Sequence, residues 1–207
     1  MTRVLDVARR SLSAPAVYDL YQRLVGAPGM IERFVSDHIC ARPGQRLLDV
    51  GCGTGAVVPY LPEDVDLVGV DISQRYIAAA TERYGERGTF LCADASDLAA
   101  DLGAPFDTAY ATGVLHHIPD APSRKLIEGA LARLKPGGRF VAIDPTLVDG
   151  QGWVSQRIVK ADRGEHIRTP AEMAALMEGL KPRFEIVSDM LNIPFSQVIT
   201  VIEKRVY

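Results

Sequence analysis

The stretch Leu47-Leu48-Asp49-Val50-Gly51-Cys52-Gly53-Thr54-Gly55 constrains this chain more than any other. Arg46 to Val50 is a short apolar run with one acid near its end, the pattern of a buried parallel strand. Three glycines follow within five residues. Glycine gives up side-chain packing and gains backbone freedom, so this run ends the strand and lets a ligand lie against bare main chain. Ala56 to Leu61 then reads as a short helix. Strand, glycine turn and helix start together make the ligand crevice of an open α/β sheet.

Gly51, Gly53 and Ala56 formally satisfy the dinucleotide pattern G-x-G-x-x-G/A. Asp49 argues against that reading. A pyrophosphate needs donors and positive potential at such a turn, and a carboxylate just before the first glycine repels it. The same carboxylate suits a ligand that carries positive charge and no phosphate.

The remaining chain reads as further units of one sheet. Residues 14–40 predict two amphipathic helices, the first with Val17, Leu20, Tyr21 and Leu24 on one face, the second with Ile31, Phe34, Val35 and Ile39. Gly26-Ala27-Pro28-Gly29 separates them, and Arg42-Pro43-Gly44 turns the chain into the first strand. Further strands are expected at 66–71, 89–92, 106–111 and 139–143. Helices are expected from an N-cap at Ser73 to Tyr84, from Asp94 to Asp101, and from Ser123 to Leu134, the last ended by Lys135-Pro136-Gly137-Gly138. Such alternation implies a mostly parallel sheet with helices on both faces. Thr169-Pro170-Ala171-Glu172 reads as a capping box. The strands after it, 184–188 and 198–202, are close enough in sequence to pair antiparallel.

Composition bounds the class. Of 207 residues, 47% are apolar and 24% charged, ordinary for one globular domain. A net charge of −3 and the lack of a basic run argue against a nucleic acid partner held through its phosphates. Cys40, Cys52 and Cys92 form no C-x-x-C, which suits reduced thiols in a cytoplasmic protein. Neither a signal peptide nor an apolar run of about 20 residues is visible, so no membrane partner is expected. Oligomeric state is not legible.

With Asp49-Val50-Gly51-Cys52-Gly53-Thr54-Gly55 as its first motif, the chain resembles the class I methyltransferases that use S-adenosyl-L-methionine (SAM). SAM has an ammonium, a sulfonium and no phosphate. Phe106-Asp107, Val114-Leu115-His116-His117-Ile118-Pro119-Asp120 and Leu134-Lys135-Pro136-Gly137-Gly138 are similar to the small-molecule type, the ubiquinone/menaquinone C-methyltransferase-like group. The resemblance covers roughly 43–145 and implies a Rossmann-like, mostly parallel seven-stranded sheet with a C-terminal antiparallel hairpin, in one domain over 1–207. Residues 1–45 are expected to form an N-terminal helical cap.

The resemblance also implies a site. Asp49 would face the methionine ammonium, with Gly51, Cys52 and Gly53 beside the methionine. Asp71, with Ile72 next to it, would accept the ribose hydroxyls; an aspartate capping a helix is the plainer reading. Asp94 and Ala95 would meet the adenine, although Asp94 also fits a cap. Thr112 would sit beside the transferable methyl. His116 and His117 are the candidate catalytic pair: one would serve as general base, or both would merely pack and cap. Their adjacent side chains diverge and no third ligand stands at a useful spacing, so no metal is expected. Tyr18 and Tyr21 either reach the cofactor carboxylate or belong to core and surface.

Residues 151–169 hold Trp153 and the cations Arg157, Lys160, Arg163 and Arg168, offset by Asp162 and Glu165. They read as a solvated helix and loop, or as a mobile lid over a small-molecule acceptor. A non-catalytic SAM-binding module remains open. A short-chain NAD-dependent oxidoreductase would want Tyr-x-x-x-Lys, which this chain lacks.

Overall fold

The structure, a computed structural model, describes residues 24–96, 102–162 and 164–205. Its centre is a seven-stranded sheet: β1 Arg46–Val50, β2 Asp66–Asp71, β3 Thr89–Cys92, β4 Phe106–Thr112, β5 Leu134–Pro145, β6 Arg183–Val187 and β7 Gln197–Glu203. The strand order is β3-β2-β1-β4-β5-β7-β6. All pairs from β3 to β5 are parallel, and β7 pairs antiparallel with both β5 and β6. The order turns outward in both directions from β1 and β4, which places a switch point where the glycine turn leaves β1.

Five helices flank the sheet among the described residues: α1 Ala27–Phe34, α2 Gln74–Tyr84, α3 Asp120–Ala132, α4 Trp153–Lys160 and α5 Pro170–Leu176. Alternation along the strands sorts the core in two. Leu47, Tyr110 and Ile143 face one side with α1 and α2, through Ile31, Phe34, Ile77 and Ala80. Leu48, Val50, Ala109, Ala111 and Phe140 face the other, with α3 and α5, through Leu126, Ile127, Ala130 and Met173. Local signals set the helix starts. Ser73 Oγ accepts from Tyr76 N–H to cap α2, and Thr169 and Glu172 form both halves of a capping box on α5. A cap of this kind contributes about 1 kcal/mol.

Several expectations need correction. The break before α1 falls at Val25-Gly26, with Gly26 at φ 86°, and Ala27-Pro28-Gly29 already belongs to α1, because proline in the first turn removes only an N–H that would be orphaned anyway. Ala56–Leu61 is not an α-helix: a series of turns leads to a single 3₁₀ turn at Val58–Tyr60, with Pro59 inside and Pro62 just beyond. Helix α3 starts at Asp120, a turn earlier than expected. Lys135–Gly138 does not separate helix from strand but bulges within β5: Phe106 pairs with Leu134, and the ladder resumes at Thr108 with Arg139. Lys135 Nζ bonds both oxygens of Asp107 at 2.8 Å across that bulge. The expected helices at 14–24 and 94–101 lie largely outside the described residues, as do Tyr18 and Tyr21. No helix among the described residues is long and apolar enough to cross a membrane.

Candidate functional site

The glycine turn folds back on its own strands. Gly51 and Cys52 N–H both donate to Val70 O, at 2.8 and 3.0 Å, and Gly55 N–H donates to Cys52 O. Gly53 N–H donates to Asp71 Oδ2 at 3.0 Å. These four donors are therefore engaged within the protein, and the helix that would point more of them at a phosphate is missing. The turn is no cradle for a pyrophosphate. Gly51 and Gly53 adopt φ of 72° and 54°, the left-handed region. A Cβ on Gly51 would meet Val114 Cγ2 at 2.5 Å, whereas one on Gly53 would meet nothing within 4 Å. Gly53 thus presents bare backbone to open space.

Asp49 pairs in register with Tyr110 on β4. Asp49 is buried, and neither its Oδ2 nor Tyr110 Oη has a hydrogen-bond partner. Burial pushes the Asp49 carboxyl up to about 7; the nearby Tyr110 hydroxyl opposes this, and the charge of Asp71 adds to it. A buried, under-satisfied acid beside bare main chain is costly alone and becomes favourable opposite a cation. Cys52 turns its side chain into the core, so only its main chain belongs to the turn. Burial and the two carboxylates push its thiol far up, and it stays protonated.

Asp71, at the end of β2, is half-buried. Besides the bond to Gly53, its Oδ1 accepts from Ser73 N–H at 2.8 Å. These bonds are structural, as the capping reading expects: the acid shapes the glycine turn and the entry to α2. Ile72 is 73% exposed. Asp94 Oδ1 accepts from both the N–H and the hydroxyl of Ser96, closing a local turn. Ala95 beside it is half-buried. Thr112, the last residue of β4, buries an Oγ1 that has no partner.

The histidines do not form the simple pair that the sequence suggests. His116 is buried and sits between two acids: Nδ1 lies 2.9 Å from Asp144 Oδ1, and Nε2 lies 3.2 Å from Asp162 Oδ1. Its backbone N–H also donates to Asp144. Burial lowers the imidazole pKa, but the two carboxylates outweigh it and raise the ring to about 9. A protonated ring with both nitrogens engaged has no lone pair for a substrate proton, so His116 is not poised as a general base. His117 is exposed, its ring 4.0 Å from that of His116 and tilted by 40°. Arg168 is equally unlike its expected role among cations facing an acceptor. It is buried, donating to Leu115 O, Ile118 O and Asp120 Oδ1. Asp144 and Asp162 were the missed residues. Asp144 carried a signal, an acid at the end of an apolar strand; Asp162 carried none beyond its charge.

Residues 47–138 match the family model described as a methyltransferase domain. These residues are similar to a methyltransferase domain. The 27-O-demethylrifamycin SV methyltransferase of Amycolatopsis mediterranei is 38% identical over 114 residues, covering 52% of this chain and 41% of the relative. An uncharacterized methyltransferase of Synechocystis is 31% identical, covering 65% of each. The chain spans about half the length of the curated relatives it matches. The chain also shares its fold with magnesium protoporphyrin IX methyltransferase from Synechocystis, solved with bound SAH, at a TM-score of 0.68 and 19% identity, over 96% of this chain and 99% of that one.

Proposed function

We propose that the protein transfers the methyl group of SAM to a small-molecule acceptor by in-line displacement. The observation that carries this reading is the pairing of Asp49 with the glycine turn. A buried carboxylate oxygen without a partner stands beside a turn whose donors are engaged internally. That donor set fits a cationic ligand and repels a pyrophosphate. Asp49 would hold the methionine ammonium, and Gly51 and Gly53 would let that end lie on the main chain. Asp71 would accept the ribose hydroxyls with the lone pairs left beyond Gly53 and Ser73 N–H. The apolar face of Ile72, with Asp94 and Ala95, would meet the adenine, and Thr112 would border the reacting centre.

Bound SAM supplies an activated methyl group and its own leaving group. What remains for this chain is to bind, orient and exclude water. No nucleophile is required, and Cys52 is unsuited to be one. His116, with both ring nitrogens held by carboxylates, would not receive an acceptor proton. Residues 151–169 would wall the acceptor side, since β5 delivers them to the carboxyl edge of the sheet. On α4 the exposed Trp153 and Val154 offer apolar surface, and Arg157 offers charge. The stretches 114–120 and 134–138 favour the ubiquinone/menaquinone C-methyltransferase-like group within the class. The named O-methyltransferase relatives support a small organic acceptor.

A screen of small hydroxylated and amino-bearing aromatic and polyketide acceptors, read by formation of S-adenosylhomocysteine, tests the reaction. Acceptor-dependent product supports it. Tight SAM binding with no turnover on any of them would favour the non-catalytic SAM-binding reading.

A further inference from the structure

We infer that His116 is a positioning residue, an imidazole clasp between Asp144 on β5 and Asp162 after α4 that fastens Asp162 and residues 164–168 to the carboxyl edge of the sheet. The ring reaches the two acids from opposite nitrogens, at 2.9 and 3.2 Å. The contact is specific to this connection. His166 N–H donates to His116 O at 2.9 Å, and Gly164 approaches the His116 ring so closely that a Cβ there would overlap Cδ2. Asp162 also accepts from Gly164 N–H at 2.9 Å, which folds the loop around the ring. Just beyond, Arg168 binds Leu115 O, Ile118 O and Asp120, and Thr146 Oγ1 donates to Arg168 O.

This places the joints of the segment. Its C-terminal end is pinned at Asp162, His166 and Arg168, while its N-terminal end leaves the sheet through Gly150 and Gly152, where a Cβ would meet nothing. Helix α4 is exposed along Trp153, Val154 and Arg157 and anchored inward by Ser155 and Val159. Any opening over the acceptor side must therefore either hinge at 150–152 or release the clasp.

Charge makes the clasp releasable. The groups facing His116 are Asp144 from β5, Asp162 from the connection and the neighbouring His117, with the Arg168–Asp120 pair on the same loops. A neutral imidazole carries one N–H and can donate to only one of the two acids. Losing the proton thus frees one carboxylate, and Asp162, the less buried, is the one that can move to water. The ring holds its proton to about pH 9.

The clasp itself does not depend on the acceptor; its place beside the acceptor rests on the proposed methyl transfer. The test is tryptic cleavage after Arg157 and Lys160 in the full chain, without ligand, with the His116 ring followed by NMR. The wild type should be cut slowly at pH 7.5, with protection fading as pH rises through about 9. Asp162→Asn should be cut at least about fivefold faster and show little pH dependence, since cleavage tracks the open population. Asp162→Glu should restore part of the protection, and S-adenosylhomocysteine affinity should stay unchanged in both variants. Equal cleavage of wild type and Asp162→Asn would overturn the clasp, as would a neutral His116 ring at pH 7.5 in the wild type. Absence of S-adenosylhomocysteine binding in the wild type would instead strike the methyltransferase reading and leave the cleavage result standing.

Discussion

Gly53 N–H donates to Asp71 Oδ2 at 3.0 Å, tying the turn after β1 to the acid that ends β2. One carboxylate thus shapes the turn that, in the proposed function, would receive the methionine, and in the same proposal it would accept the ribose hydroxyls. Asp71→Ala removes this bond and both hydroxyl acceptors. Hydrogen bonds to charged groups are worth roughly 1.5–3 kcal/mol, so SAM affinity should fall at least about tenfold. Calorimetry on the folded variant checks this. Unchanged affinity would leave Asp71 a purely structural cap.

The two turn glycines should separate stability from binding. Both have positive φ, which costs a residue with a Cβ roughly 1–2 kcal/mol. Gly51→Ala adds an overlap with Val114 and should lower the melting temperature further. Gly53→Ala meets no protein atom, so it should keep the fold better and lose SAM affinity, because its Cβ enters the open side of the turn. Melting curves and titrations on both variants decide it; if Gly53→Ala binds as wild type does, the ligand does not lie on that face.

Asp49 makes binding pH-dependent. Its carboxyl is raised from 3.8 to about 7 in the free protein, so the protonated form is favoured there. Its contribution to stability is present below the unfolded value and is lost as pH rises through about 7. A bound cation reverses the preference and expels the proton. SAM affinity should therefore rise from about pH 6 to 7.5, with proton release seen in calorimetry at pH 6.5 across buffers of different ionisation heat. Asp49→Asn should bind more weakly and release nothing. A flat profile in the wild type would separate Asp49 from the cofactor.

Much of the frame was legible because its signals are local. Strand β2 begins and ends at the expected residues, Ser73 caps α2, and the capping box at Thr169 forms in full. Boundaries failed where two local rules compete. Pro28-Gly29 and Pro136-Gly137-Gly138 read as breaks, yet proline is tolerated in a first helical turn and glycines permit a bulge inside a strand. The acids at strand ends were legible as candidates through their position on the sheet edge. The tie of Asp144 and Asp162 through His116 was not, because it is made by tertiary packing of three elements with no shared motif. The adjacent histidines suggested proton transfer, and only the folded partners show that His116 is held by carboxylates at both nitrogens.

His116 also predicts an alkaline limit to stability. Its ring is raised from 6.5 to about 9, so the stabilisation is fully present below the unfolded value and is lost as pH rises through about 9. At about 1.4 kcal/mol per unit this amounts to roughly 3 kcal/mol. His116→Gln should be less stable than wild type at pH 7 by that order, and the gap should narrow toward pH 10. Denaturant titrations at pH 7, 8.5 and 10 check it; a constant gap would mean that packing, not charge, holds the ring.

The most direct measurement is a melting-temperature titration of the wild type with SAM, S-adenosylhomocysteine and NAD. A ligand at a hundred times its dissociation constant stabilises by about 2.7 kcal/mol. Asp49 and the internally bonded turn predict a clear upward shift with SAM and with S-adenosylhomocysteine, and none with NAD. A shift with NAD and none with SAM would contradict the account.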